Sequence, residues 1–281
     1  MMQRREWLVR TTSAAAWFAV APLLANAGDR RFKIGAPDWS LRKQCDVAAF
    51  QVAKEIGLDG VQVSLGTVAN NLQLRQAAVQ QQYKAAARQT GVAIASMAIG
   101  ELNSVPYKSD PRTIEWVSDC VDVMQALEVK VVLLAFFGKG DLCDDQAGVD
   151  EVVKRLKVVA PKAEKAGVVL GLENYLSAEQ NLDILQRVGS HAVQVYYDVG
   201  NSTHKGYDIY KEIRMLKGKI CEFHAKDGKS MLGAGQVDFH KVRAAMDDIG
   251  YSGWIQIEAA APHGVVPDYQ ADCKFLKSIF S

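Results

Sequence analysis

The sequence predicts a single (β/α)8 barrel with its chemistry at the C-terminal ends of the strands. Three observations carry this. Eight short apolar runs start at intervals of 25 to 39 residues. The stretches between them have helical periodicity, and one strand–helix unit per ~30 residues, eight times over, is the usual size of this fold. The first turn reads Gly35-Ala36-Pro37-Asp38-Trp39-Ser40, without the Gly-rich phosphate loop that marks an open doubly wound sheet.

The elements follow in order. The expected strands are 32–36, 61–65, 92–98, 129–137, 168–172, 193–197, 220–223 and 254–257. Most are continuously apolar, as parallel strands covered on both faces should be. The helix before the second strand should stop at Gly57 or Gly60, and the one before the third at Gly91. Ile114, Val117, Val121, Met124 and Leu127 keep one helix face apolar ahead of the fourth strand. Val149, Val152, Val153, Leu156, Ala160 and Ala163 do the same ahead of the fifth, with Gly167 as the stop. Gly189, Gly218, and Gly250 or Gly253 stand before the last three strands, because glycine tolerates the left-handed position after a helix.

Composition sets the outer bounds. The 281 residues are 49% hydrophobic and 23% charged, which excludes a disordered tail, a collagen-like fibre and a disulfide mini-scaffold. Lys and Arg number 33 against 32 Asp and Glu, so no basic excess points to nucleic acid. The five cysteines (45, 120, 143, 221 and 273) are dispersed, unlike a disulfide framework or zinc knuckle. Cys120 falls on an apolar helix face and Cys221 inside a strand, so both are expected to be buried and inert.

Residues 1–27 read as an export signal, leaving 28–281 as the barrel domain. Arg4, Arg5 and Arg10 give a basic start, 11–27 carry no charge, and Ala25-Asn26-Ala27 is a small-x-small cleavage pattern. The apolar core is short for a membrane span, which needs ~20 residues. Gln3-Arg4-Arg5-Glu6-Trp7-Leu8 resembles a twin-arginine signal, which implies a periplasmic protein with no stable membrane association after cleavage. An uncut N-terminal anchor is the competing reading.

Four consecutive strands each end on one potential ligand: Glu173, Asp198, His224 and Glu258, spaced 25, 26 and 34 residues apart. Alone, an Asp before a glycine is a turn former and a strand-end His a surface residue. Four such residues in one structural position on neighbouring strands point to a shared divalent cation, because three converging carboxylates would otherwise repel. An oxygen-rich set with one nitrogen suits Mn²⁺, Mg²⁺ or Co²⁺ better than a sulfur-loving metal, and Zn²⁺ stays an alternative. Asp38 and Trp39 follow the first strand and could wall a sugar site, or the ring could plug the mouth. Glu101 follows the third strand, where a solvated loop acid is the plainer reading; His191, His240 and His263 have no partner spacing.

These strand ends, with Leu232-Gly233-Ala234-Gly235-Gln236-Val237-Asp238-Phe239, resemble the xylose-isomerase-like barrels, specifically the sugar phosphate isomerase/epimerase group with the ketose 3-epimerases. The resemblance implies one divalent metal ion held by Glu173, Asp198, His224 and Glu258. It implies that Glu173 and Glu258 also form the acid/base pair on opposite sugar faces, and that Glu179 contacts substrate. The epimerases carry a histidine three residues after the metal-binding Asp, where this chain has Asn201. They carry an arginine six residues after the metal-binding His, where this chain has Ser230, with Lys226 and Lys229 nearby. His204 is a partial substitute for the histidine only if it leaves its solvated loop.

The leading expectation is therefore a metal-dependent sugar isomerase or epimerase, abstracting a proton alpha to a carbonyl through a metal-stabilised enediolate. A 3-keto-glycoside lyase or hydrolase using the same metal and base is the runner-up, favoured by the altered substrate positions and the export signal. An apurinic endonuclease needs a histidine-rich multi-zinc site, and only one of the five histidines stands at a strand end. A non-catalytic sugar-binding protein would have lost a ligand. The expected partner is a small carbohydrate, with no nucleic acid; a homo-oligomer stays open.

Overall fold

Eight parallel strands pair in chain order, and the eighth closes on the first. The computed structural model describes residues 31–281, so the expected export signal over 1–27 lies outside the described residues. The strands are β1 Phe32–Pro37, β2 Gly60–Ser64, β3 Ala93–Ile99, β4 Val131–Ala135, β5 Val169–Glu173, β6 Val193–Asp198, β7 Ile220–Ala225 and β8 Gly253–Ile257. The helices are α1 Ala49–Ile56, α2 Ala77–Thr90, α3 Arg112–Leu127, α4 Gln146–Ala166, α5 Ala178–Val188, α6 Val199–His204, α7 Ile209–Leu216, α8 Phe239–Asp248 and α9 Val265–Phe280. Closure runs from Phe32 opposite Gly253 to Gly35 opposite Gln256, so no edge remains among the described strands.

The main core fills the space between barrel and helices. Val152, Leu156 and Ala163 of α4 are buried there, as are Val117, Cys120 and Met124 of α3. This is the burial that the apolar periodicity requires. Ile114 departs from it at 42% exposure: in the first turn of α3 the buried position is Thr113, and Ile114 stands on the flank of that face. Inside the barrel the filling is mixed. Ala98, Leu133, Ala135 and Tyr196 make a small apolar cluster, while Gln62, Ser96, Glu222, His224 and Gln256 are buried polar groups. Cys221 is half-buried, not fully buried: it is the extra residue where the β6–β7 register shifts, and its side chain packs against the Ala98, Leu133, Ala135 and Tyr196 cluster.

Left-handed glycines stop α1, α2, α4 and α5 at Gly57, Gly91, Gly167 and Gly189. Gly218 does not act in this way; it has φ −69°, and the left-handed residue after α7 is Lys217. Two strands depart from their expected bounds by two residues, and the other six by no more than one. β4 is shorter than 129–137: Phe136 is fully buried in the main core beside Tyr107, and Phe137 turns to the barrel mouth. β7 runs two residues past Phe223, which brings His224 into register with Asp198 and Gln256. No helix among the described residues is long and apolar enough to cross a membrane.

Candidate metal centre and active site

The ligand atoms of Glu173, Asp198, His224 and Glu258 lie within 4.8 Å of one another at the C-terminal barrel mouth. Three of these side chains are almost fully buried, and Glu258 is partly open to the mouth. His224 Nδ1 is 2.7 Å from Glu173 Oε1, 3.8 Å from Glu258 Oε2 and 3.9 Å from Asp198 Oδ2. Its edge packs against the Tyr196 ring, centroids 4.7 Å apart.

Each carboxylate is aimed by its neighbours. Asp198 is the N-cap of α6: Oδ1 accepts from the backbone N–H groups of Gly200 (2.7 Å) and Asn201 (2.8 Å). That leaves Oδ2 facing the cluster, buried and without a hydrogen-bond partner. Gly200 is required here, because a Cβ would stand 2.7 Å from the Lys226 backbone oxygen. Glu258 Oε1 accepts from Trp39 Nε1 at 2.8 Å, and Oε2 accepts from Lys226 Nζ at 2.8 Å.

The charges of the site are strongly interdependent. Burial raises the Asp198 carboxyl to about 7, against the pull of Lys226. Burial opposes the charge on His224, but Glu173 and Glu258 outweigh it and push the imidazole up to about 9. Lys226 is raised in the same way: Glu258 and Asp198 overcome its desolvation. Desolvation of Glu258 is overcome by His224 and Lys226, which hold it below the ordinary range. The protein's own cations thus balance the carboxylates. The orphaned Asp198 oxygen and the three-oxygen, one-nitrogen donor set fit a hard or borderline divalent ion.

Above the cluster opens a cavity of about 480 Å³ that includes Trp39, Glu101, Phe137, Tyr175, Asn201 and Lys226. Trp39, Asn201 and Lys226 therefore stand where a substrate would meet them. Asp38 does not. Its carboxylate is fully buried and committed to Ser64 Oγ and to the N–H groups of Ser64 and Cys45, so it braces the β1 turn. Burial still lifts it to about 6 against those bonds. Glu179 is also elsewhere. It is exposed in the first turn of α5, behind a Ser177–Gln180 capping box, in a separate groove of about 570 Å³ with Leu142 and Asp183. His204 ends α6 exposed, in another recess. Phe137 and Tyr175, 4.6 Å apart as an edge-to-face pair, were not expected from the sequence, since single aromatics after apolar runs read as strand or core.

The 232–239 segment has its own role. Asp227 accepts from the N–H groups of Gly233, Gly235, Gln236 and Val237 at 2.7 to 3.1 Å, so the loop folds around that carboxylate. Gly235 is needed because a Cβ there would collide with the Asp227 carboxylate.

A closed (β/α)8 barrel with four acidic and histidine groups that could hold a metal ion on adjacent strand ends defines the class of protein. The chain belongs to the xylose isomerase-like TIM barrel family, whose match spans residues 50–279. It is 25% identical over 222 residues to a 2-epi-5-epi-valiolone 7-phosphate 2-epimerase of Actinoplanes sp., covering 76% of this chain and 82% of that protein. Its fold superposes on the D-psicose 3-epimerase of Clostridium cellulolyticum H10 with a TM-score of 0.75 and 18% identity, over 89% of this chain and 99% of the other. It superposes on the 3-keto-D-glucoside 4-epimerase of E. coli with a TM-score of 0.74 and 15% identity, over 88% and 99%. At these identities the two superpositions concern the fold.

Proposed function

We propose that this chain is a divalent-metal-dependent carbohydrate epimerase or isomerase that moves a proton alpha to a carbonyl. The observation that carries the reading is the convergence of Glu173, Asp198, His224 and Glu258 beneath an open, aromatic-walled cavity. These four residues would hold the ion; their oxygen-rich chemistry favours Mn²⁺. Bound there, a divalent cation supplies Lewis acidity that acidifies the C–H beside a carbonyl. Glu173 and Glu258 come from β5 and β8, with β6 and β7 between them, so they approach a centrally bound sugar from two sides. One, as the carboxylate, takes the proton, and the other, carrying a proton of its own, delivers that proton to the opposite face. Trp39 and Lys226 fix the Glu258 carboxylate, and His224 together with Lys226 holds it below the ordinary carboxylate range against its desolvation. The aromatic ring faces of Trp39, Phe137 and Tyr175 suit the apolar face of a sugar.

Charge favours a substrate without phosphate. Lys226 is the one cationic residue lining the cavity among the described residues, and it is already paired with Glu258. Glu101 adds a negative charge at the rim. A free or glycosidic sugar fits this better than a dianion. A specific observation also supports a 3-keto-glycoside lyase: Lys226 Nζ stands 2.8 Å from the Glu258 carboxylate, where it could protonate a departing glycosidic oxygen. We further propose a periplasmic location, on the strength of Arg4, Arg5 and the uncharged stretch after them.

The test is proton exchange in D₂O. Mn²⁺-loaded protein is offered free ketoses, aldoses and 3-keto-glycosides, and products are read by NMR. Deuterium entering alpha to the carbonyl with inversion means epimerase; loss of the aglycone means lyase. Glu173→Gln and Glu258→Gln should each abolish turnover, while the variant that lacks the first base's partner could still wash deuterium into the substrate without completing the reaction. Either variant retaining both its metal and near-normal turnover would show that glutamate to be a ligand only.

A further inference from the structure

His224 offers two ring nitrogens, and only one faces the carboxylates. Nδ1 looks into the cluster, while Nε2 lies 3.1 Å from Gln62 Oε1 on the far side of the ring. A neutral imidazole carries one proton, and the partner of the second nitrogen decides where it sits. If Gln62 turned its amide over and presented its NH₂ group to Nε2, the proton would move to Nδ1 and block the cluster.

The barrel interior prevents that turn by a directed chain of hydrogen bonds. Gln62 Nε2 donates to Ser96 Oγ at 3.1 Å and to Tyr196 Oη at 3.0 Å. Each hydroxyl has a single hydrogen to give. Both are already spent on Glu222 Oε1, at 2.8 Å from Ser96 and 3.1 Å from Tyr196. The hydroxyls therefore show Gln62 lone pairs only, and its NH₂ must face them. Its carbonyl is left to face His224, which must then answer with Nε2–H. Gln256 Nε2 also donates to Glu222 Oε1, at 2.7 Å, and steadies the carboxylate from β8. Glu222, Gln62 and Ser96 are fully buried and Tyr196 is 1% exposed, so no solvent competes for these bonds.

We propose that Glu222 is a positioning residue: through Ser96, Tyr196 and Gln62 it holds His224 as the Nε2–H tautomer and turns the Nδ1 lone pair toward Glu173, Asp198 and Glu258. This rests on the metal reading of that site. Outer partners of metal-bound histidines commonly set affinity by about 10- to 100-fold.

The experiment uses the full chain and Mn²⁺ alone, with binding read by equilibrium dialysis. A parallel Zn²⁺-loaded, ¹⁵N-histidine sample gives the His224 tautomer by NMR. Gln62→Met, Glu222→Met and the Ser96→Ala/Tyr196→Phe double variant should each lose about 10- to 100-fold in Mn²⁺ affinity. Each should also lose the uniform Nε2–H signature. Gln62→Glu, which can only accept from the ring, should keep both. Wild-type affinity and an unchanged tautomer in folded Glu222→Met would overturn the proposal. Should Glu222→Met not fold, the same result in the double variant overturns it. If the wild-type chain takes up no Mn²⁺ or Zn²⁺ at all, the metal reading falls first, an outcome separate from equal binding by every variant.

Discussion

His224 and His263 both sit beside a carboxylate, yet they are different residues chemically. His263 is exposed over 76% of its side chain; its Nδ1 meets Asp268 at 3.1 Å, and its N–H bonds the same carboxylate at the start of α9. His224 has a side chain 1% exposed and three carboxylates within 4 Å. The first pair anchors a turn; the second could release its Nδ1 proton to solvent and offer that lone pair to a metal. His224→Ala should therefore weaken Mn²⁺ binding strongly, while His263→Ala should leave it unchanged, as measured under limiting metal. Equal metal content in the two variants would sink the ligand assignment. The four cluster residues were legible in the sequence because each ends an apolar run, and the barrel places such ends on one rim. Asp38 and Glu179 were misplaced because sequence position does not say which way a side chain turns. Asp38 lies one residue past β1, and the backbone N–H groups of Cys45 and of Ser64 on β2 hold its carboxylate inward. Glu179 stands where a helix N-terminus favours any acid, sugar or none. Glu222 was passed over inside an apolar run, although its two-residue spacing from His224 puts both on the inner face of β7.

At the level of elements, strand alternation and glycine stops made most of the barrel readable. The exceptions have local causes. Phe136 and Phe137 extend the apolar run after β4, but Phe136 gives its N–H to the Glu173 backbone oxygen and the chain then leaves the ladder. Lys217 takes the left-handed position beside Gly218, which composition alone would have given to the glycine. The packing of α9 carries a cost that the sequence does not disclose. Asp272, on its buried face, is 1% exposed; Oδ1 accepts from Leu232 N–H at 3.0 Å, and Oδ2 has no hydrogen-bond partner. Burial raises its carboxyl from 3.8 to about 6. The folded chain therefore holds this proton more tightly than the unfolded chain. The stability it contributes is full below about pH 4 and is lost as pH rises through about 6. Asp272→Asn has nothing to ionise, so it should be the more stable protein at pH 8, by on the order of 1–3 kcal/mol. That advantage should vanish toward pH 4. Urea unfolding of both proteins at the two pH values checks this; a variant less stable than wild type at pH 8 would refute the sign.

For the molecule as a whole, the candidate centre exists only when the barrel is closed. Its four ligands come from strands spread over 173–258, and Trp39, which aims Glu258, comes from the other end of the barrel wall. Gln62 reaches His224 across 162 residues of sequence. In an extended chain the ligands are 25 or more residues apart and have no common cavity. Binding of the proposed ion would then be a property of the folded state, and ion uptake and folding would reinforce each other. This bears on the proposed export route. A route that threads an unfolded chain would leave the ion to be captured outside the cell. A twin-arginine route carries a folded protein, so the barrel could close and select its ion in the cytoplasm before leaving. The prediction follows from the sequence at Arg4 and Arg5. Replacing both by Lys keeps the charge and apolar stretch but removes the guanidinium pair. The doubly substituted precursor should accumulate in the cytoplasm, folded and with metal content equal to that of the exported wild-type protein. Cell fractionation, immunoblotting for cleavage and metal analysis of the retained pool check this together. Normal export and processing of the double variant would remove the twin-arginine route. A retained pool that is folded but lacks metal would instead separate export from loading, and place ion capture after the membrane has been crossed.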